Sequence, residues 1–288
     1  MPENTTIKTC ANCGYRPFDS DFCPNCGQRK LTEKDNSISS LATDFLEGIF
    51  NLENSFLRTI KVFFSKPASY ATSYELGARK KYISPIKLFF FANAFYFLFP
   101  AINAFTTTLD IQLNQLIYSE LTRGFIEGWI ESSGMGFSDF ENQYNKLTAT
   151  LSKVLLILLP IFFGMATWAL SFTSKNRKPF LFHLNRSLLF HAFILLFVVS
   201  FVPGSLYLFA KTLGFDWLLS LLNNFSITLI SIVLMNAFAY MLYKGFFNQS
   251  FSLNLTRTFL LNGVYFFLIF LYRFILLLVT LAWIAAFR

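Results

Sequence analysis

The stretch Phe259–Ala286, FLLNGVYFFLIFLYRFILLLVTLAWIAA, holds a single charged residue, Arg273. A helix rises ~1.5 Å per residue and the hydrocarbon core of a bilayer is ~30 Å thick, so such a run is long enough to cross it. No strand-like alternation interrupts it, and lipid admits only helices or closed barrels. Four further runs have the same character: Ile86–Phe105, Val154–Phe172, Ser187–Phe209 and Leu218–Tyr243. Together they predict an all-α membrane protein with about five transmembrane helices. The composition of the 288-residue chain agrees: 54% of residues are hydrophobic, 39 are Phe and only 14% are charged. A soluble domain carries roughly 25% charged residues, and a disordered chain needs low hydrophobicity. Four Cys are too few for a small disulfide scaffold of this length. Ser84 and Pro85 read as the N-cap and first-turn proline of the first span. Pro100, Pro160 and Pro203 are placed to kink spans.

The connecting segments alternate in charge. Lys61, Lys66, Arg79, Lys80, Lys81 and Lys87 precede or open the first span. The loop 106–153 then carries Asp110, Glu120, Glu127, Glu131, Asp139 and Glu141 against three bases. The loop 173–186 has Lys175, Arg177, Lys178 and Arg186 with no acid; 210–217 is neutral; 244–258 has Lys244 and Arg257 alone. Lys and Arg resist translocation, so the basic loops are expected in the cytoplasm. The N-terminus is then inside and the C-terminus outside, and no signal peptide is visible in the polar residues 1–37.

Those 37 residues form a separate head. Cys10-Ala-Asn-Cys13-Gly and Cys23-Pro-Asn-Cys26-Gly are two knuckles whose spacing lets both thiolates of each reach one ion. Four thiolates suit tetrahedral Zn²⁺, closed to substrate and therefore structural. Another metal, an iron–sulfur cluster, disulfides or a redox pair are the alternatives; a cytoplasmic location disfavours disulfides. A polar head this small requires the free energy of metal binding to fold.

Residues 38–84 link head and bundle. Ile38, Leu41, Phe45, Ile49, Leu52, Phe56, Ile60 and Phe63 recur at helical spacing, with Leu46, Phe50, Leu57 and Phe64 widening the stripe. This segment is expected to be an amphipathic helix lying in the membrane interface, or packing on the spans as core. Lys66-Pro67 should end it. Arg79, Lys80, Lys81 and Tyr82 then stand beside the first span. Anchoring of the cytoplasmic end accounts for them most simply, and contact with lipid headgroups is the functional alternative.

The chain as a whole resembles an uncharacterised bacterial polytopic membrane family, the domain of unknown function numbered 3667. The likeness rests on Phe22-Cys23-Pro-Asn-Cys26-Gly27-Gln28, Lys66-Pro67, Tyr74-Glu-Leu-Gly77-Ala78-Arg79-Lys80-Lys81-Tyr82-Ile-Ser-Pro85, and on His183 and His191 among aromatics. Ala78 and Lys66 stand where that family usually has Lys and Arg. The resemblance implies a bacterial inner membrane and this architecture, and brings no activity with it.

Arg273, His183 and His191 are the polar candidates within the apolar body. A mid-span cation costs about 2.5–3.5 kcal/mol or more unless it finds a partner, water or the interface. No Ser/His/Asp set, His-Glu-x-x-His motif or Walker lysine is present. The sequence therefore predicts a non-enzymatic protein whose zinc ribbon binds a cytoplasmic protein partner, with lipids around it and no nucleic acid. The alternatives are a small transporter or lipid-handling protein with a polar cavity near Arg273, or an intramembrane enzyme using His183 or His191.

Overall fold

The computed structural model describes residues 9–16, 20–30, 55–99, 103–173, 178–215, 224–246 and 251–287. Among these residues the regular structure is helical, apart from one isolated bridge in the head, Phe22 with Arg29; the head itself is built of turns. Helices α1 (Ser55–Ser65) and α2 (Pro67–Glu75) lead to α3 (Pro85–Leu98). Then come α4 (Leu109–Asn114), α5 (Ser119–Ser133), α6 (Phe137–Leu155) and α7 (Leu158–Leu170). The long helices are α8 (Phe180–Leu213), α9 (Asn224–Tyr243) and α10 (Phe251–Ala286).

Three helices, α8, α9 and α10, are long and apolar enough to cross a membrane, and the protein is a membrane protein. The pair α6 and α7 adds a fourth if it counts as one span, bent by 46°. Pro160 explains the bend, since it has no N–H for the carbonyl of Leu156 and its ring crowds that group. Helix α3 has 14 residues, ~21 Å at the usual rise, which is short of a full crossing. Among the described residues the helix lengths therefore supply three or four crossings and do not show the expected five, and Pro100 lies outside those residues. Boundaries moved as well: α8 begins seven residues before the expected Ser187, and α10 eight before Phe259.

Helix α8 is the axis of the bundle, with α2, α3, α7 and α9 packed around it. From His183 to Phe193 every side chain is buried. Gly164 of α7 meets its backbone so closely that an added Cβ would lie 3.3 Å from the Leu184 Cα. Small residues at such crossings let helices approach within membranes. Gly164→Leu is expected to force α7 and α8 apart and to lower the thermal midpoint in detergent by several degrees, with Gly164→Ala causing a smaller fall in the same direction. Between Ile194 and Phe201 the ladder of α8 widens to a π-helix. Pro203 lies one turn on, with no N–H to offer Val199.

The expected outer loop folds. Leu109, Leu113, Ile126, Ile130, Phe140 and Tyr144 form a second core with Leu277, Leu281 and Ile284 of α10. Elsewhere on the bundle large apolar side chains such as Leu229, Val233, Phe267 and Leu278 are exposed, as a lipid-facing surface requires.

The amphipathic segment is described only in its last part, since residues 31–54 fall outside the described residues. In α1, Phe63 is fully buried against Phe238, Phe64 packs on Phe193 and Phe197, and Phe56 meets Phe91. Leu57, placed on the apolar stripe, is exposed instead. This stretch packs on the bundle as core. Lys66-Pro67 ends α1 as expected, and Pro67 opens α2 in the same step.

Candidate metal centre and its seat on the bundle

Each knuckle folds by the same local rule. The Gly14 N–H donates to the Cys10 carbonyl at 2.8 Å, and the Gly27 N–H to that of Cys23 at 2.7 Å. Both glycines have positive φ, 73° and 65°, a conformation costly to any residue with a Cβ. The N–H of Cys10 donates to Tyr15 O and that of Cys23 to Gln28 O, which closes each turn. Turned this way, the four Sγ atoms lie within 4.8 Å of one another. Cys10 to Cys26 and Cys13 to Cys23 are each 3.7 Å apart. A regular tetrahedron with ~2.3 Å metal–sulfur bonds has edges of ~3.8 Å, so these separations fit one ion and are far too long for disulfides. The N–H of Tyr15 and then the Asn25 amide, 3.5 Å from Cys13 Sγ, pull the Cys13 thiol down to about 6. Desolvation pushes Cys10 up to about 11, so its thiolate depends more on a cation's charge. The four cysteines can hold a metal ion.

The head rests on the turn that precedes α3. Lys80 Nζ would be 2.8 Å from a Cβ at Gly27, and the Lys80 backbone N–H donates to Gln28 Oε1 at 3.1 Å. Gln28 is itself buried and donates to Arg29 O. The seat is a tight turn: Gly77 has φ 108°, Ala78 N–H bonds Ser73 O, and Ser84 caps α3 by accepting from Lys87 N–H. Gln28→Ala removes the side-chain half of the seat. It should speed deuterium exchange at the Lys80 amide while leaving metal content unchanged, at a cost of about 1 kcal/mol.

The juxtamembrane residues thus have divided surroundings. Arg79 is half-buried over the Tyr74 ring, Lys80 faces the knuckle, and Lys81 is exposed over Tyr82. Tyr82 is buried edge-on to Tyr70, inside the protein rather than at its surface.

Arg273, His183 and His191 have separate partners. Arg273 donates to Ala104 O at 3.1 Å, just beyond the short helix α3. The Tyr96 hydroxyl accepts from Ala104 N–H, and the Tyr272 hydroxyl donates to Phe105 O. His183 Nδ1 lies 3.3 Å from the Thr167 hydroxyl, with Phe246 edge-on. His191 Nδ1 is 2.7 Å from Ser187 O, which makes Nδ1 the donor, among Phe163, Phe190 and Tyr265. These contacts do not bring the three residues into a common site. Arg273→Leu should strand the Ala104 carbonyl and cost about 1–3 kcal/mol, read as a lower unfolding midpoint in detergent.

Two residues escaped the sequence reading. Arg186, counted there as a loop charge, lies within α8 and is 2% exposed. Its guanidinium meets Glu75 Oε2 at 3.1 Å, Thr72 Oγ1 at 3.0 Å and the Leu242 carbonyl, and lies over the Phe246 ring. Burial raises the Glu75 carboxyl above its ordinary range, and the Arg186 charge opposes that rise. The signal was present: Glu75 is the only acid between Glu53 and Asp110, amid seven cations.

A family model described as a protein of unknown function, DUF3667, matches residues 53–97. Over that stretch the chain is similar to this family. The matched range holds α1, α2, the glycine turn and α3 as far as Phe97, and so includes Glu75 and the seat of the head, but not the cysteines. No curated protein and no solved structure matches the chain.

Proposed function

We propose that this is a non-enzymatic protein of the bacterial inner membrane, with a cytoplasmic head that binds structural Zn²⁺ and presents a protein partner surface. The observation that carries the reading is the four-sulfur cluster, its atoms within 4.8 Å of one another and two of its edges 3.7 Å, seated on a basic turn at the entrance to the bundle. A closed thiolate site serves structure rather than catalysis. Residues 1–37 form the head, 38–84 the link and 85–288 the bundle.

Five crossings with the N-terminus inside remain the proposed topology. Helix α3 is short, but the chain after it is satisfied from within the protein: Tyr96, Arg273 and Tyr272 bond the backbone of Ala104 and Phe105. Irregular backbone at membrane depth is tolerated only where protein buries it in this way. The six acids of 106–153 accompany the C-terminal third of α10, and Lys178 and Lys244 lie beside Arg186 at the other end of the bundle. That distribution supports a C-terminus outside.

Metal analysis of the purified full-length protein should give one zinc per chain, and none in Cys13→Ser/Cys26→Ser. Reporter fusions should place residues 106–153 outside and 178 and 244 inside. Site-specific photocrosslinking from Tyr15 and Asn25, exposed on the head, should trap one protein in native membranes. A crosslink that persists after the cysteines are replaced would refute partner binding by the folded head.

A further inference from the structure

A cavity of about 500 Å³ opens where α2, the start of α8 and the end of α9 meet. Its wall carries three cations, Lys178, Lys244 and Arg186, against one carboxylate, Glu75. Lys178 and Lys244 are exposed and come from different connections of the bundle. Arg186 and Glu75 are buried and held rigidly by Thr72, the Leu242 carbonyl and the Phe246 ring. The two kinds of group serve different purposes. The buried pair forms the floor, and the exposed lysines stand at the rim.

The floor is incomplete. Glu75 Oε1 is buried and accepts no hydrogen bond, and Arg186 Nε is buried and donates none. A buried acceptor left without a donor costs about 1–3 kcal/mol, more when charged. A ligand that fits would bring an anion for the lysines and an O–H or N–H donor for Glu75. The positive end of α8, which starts at Phe180, lies beside the same rim and favours the anion. Leu76, largely exposed, and Phe182 add an apolar side to the opening.

We propose that this cavity binds a phosphate-bearing polar group that also carries a hydrogen-bond donor, as the headgroup of a phospholipid does. The phosphate sits between Lys178 and Lys244, and its hydroxyl or ammonium donates to Glu75 Oε1. Acyl chains leave past Leu76 and Phe182. These residues are distinct from Arg79–Tyr82, and the assignment does not depend on the metal centre.

The test is native mass spectrometry of the full-length protein, with phosphatidylglycerol, phosphatidylethanolamine, phosphatidylcholine or inorganic phosphate added to the same detergent. Phosphatidylglycerol and phosphatidylethanolamine each offer a donor; phosphatidylcholine offers the phosphate without one. The first two should remain bound at least five-fold more than the third. Lys178→Ala/Lys244→Ala, both surface positions, should lower the retention of all three lipids at least five-fold, and Lys80→Ala/Lys81→Ala should leave it unchanged. Displacement of bound lipid by millimolar inorganic phosphate would support the anion subsite and assign it to free phosphate as well. Equal lipid retention by wild type and the Lys178/Lys244 variant, or equal retention of all three lipids, would overturn the proposal.

Discussion

Arg186→Leu is expected to destabilise the protein by about 3–5 kcal/mol, because it leaves the Glu75 carboxylate buried without its counterion. In detergent this should appear as a large fall in the unfolding midpoint, or as failure to accumulate in the membrane. The pair joins three elements at once: Glu75 and Thr72 on α2, Arg186 on α8 and the Leu242 carbonyl at the end of α9. Glu75→Gln keeps an acceptor for the guanidinium and should cost less, about 1–3 kcal/mol. Glu75→Leu/Arg186→Leu should be more stable than Arg186→Leu alone, since two apolar side chains leave no buried charge behind. A double variant no better than the single one would show that Arg186 acts through Leu242 and Phe246 rather than through Glu75.

Removal of the metal should have the second large effect. Structural thiolate sites contribute about 10–16 kcal/mol of apparent binding free energy in small zinc domains, which is also their folding free energy. Chelation, or Cys10→Ser, is expected to release the amides of Gly14, Cys23 and Gly27 to rapid deuterium exchange. The Lys80 amide should follow, although it lies 54 residues beyond Cys26, because its acceptor is Gln28. Amides of α8 should keep their protection. Exchange at Lys80 that ignores metal content would show that the head does not hold the turn.

The four cysteines of the head can hold an ion, and the bundle is held by packing and a buried ion pair. Helix α8 shows why the pair is tolerated. Its first half is buried on all sides, so Asn185, Arg186, Ser187 and His191 look inward at other protein groups rather than at lipid. Ser187 donates to Pro160 O at 2.6 Å, which satisfies a carbonyl beside the bend of α6 and α7. Asn262 of α10 likewise donates to Asn236 of α9 at 3.0 Å. Such bonds fix the rotation of one helix on another where apolar contact alone would not.

The sequence by itself determined the features set by local chemistry. Two Cys-x-x-Cys-Gly repeats dictate a four-sulfur site because the spacing and the glycine φ are properties of a few adjacent residues. Ser84-Pro85 starts a helix and Lys66-Pro67 ends one for the same reason. Apolar length identified α8, α9 and α10 as membrane helices, since lipid penalises unpaired backbone regardless of neighbours. Only the tertiary structure decided where polar groups lie. Hydropathy placed Arg186 in a loop because a cation is costly in an apolar span, yet Glu75, 111 residues earlier, removes that cost. It extended the first span to Phe105 because Leu98 to Phe105 is apolar, whereas Arg273 and Tyr272 hold the end of that stretch in irregular backbone. An average over neighbours in sequence cannot register a partner supplied from another helix, and those partners decide which charges the bundle can bury.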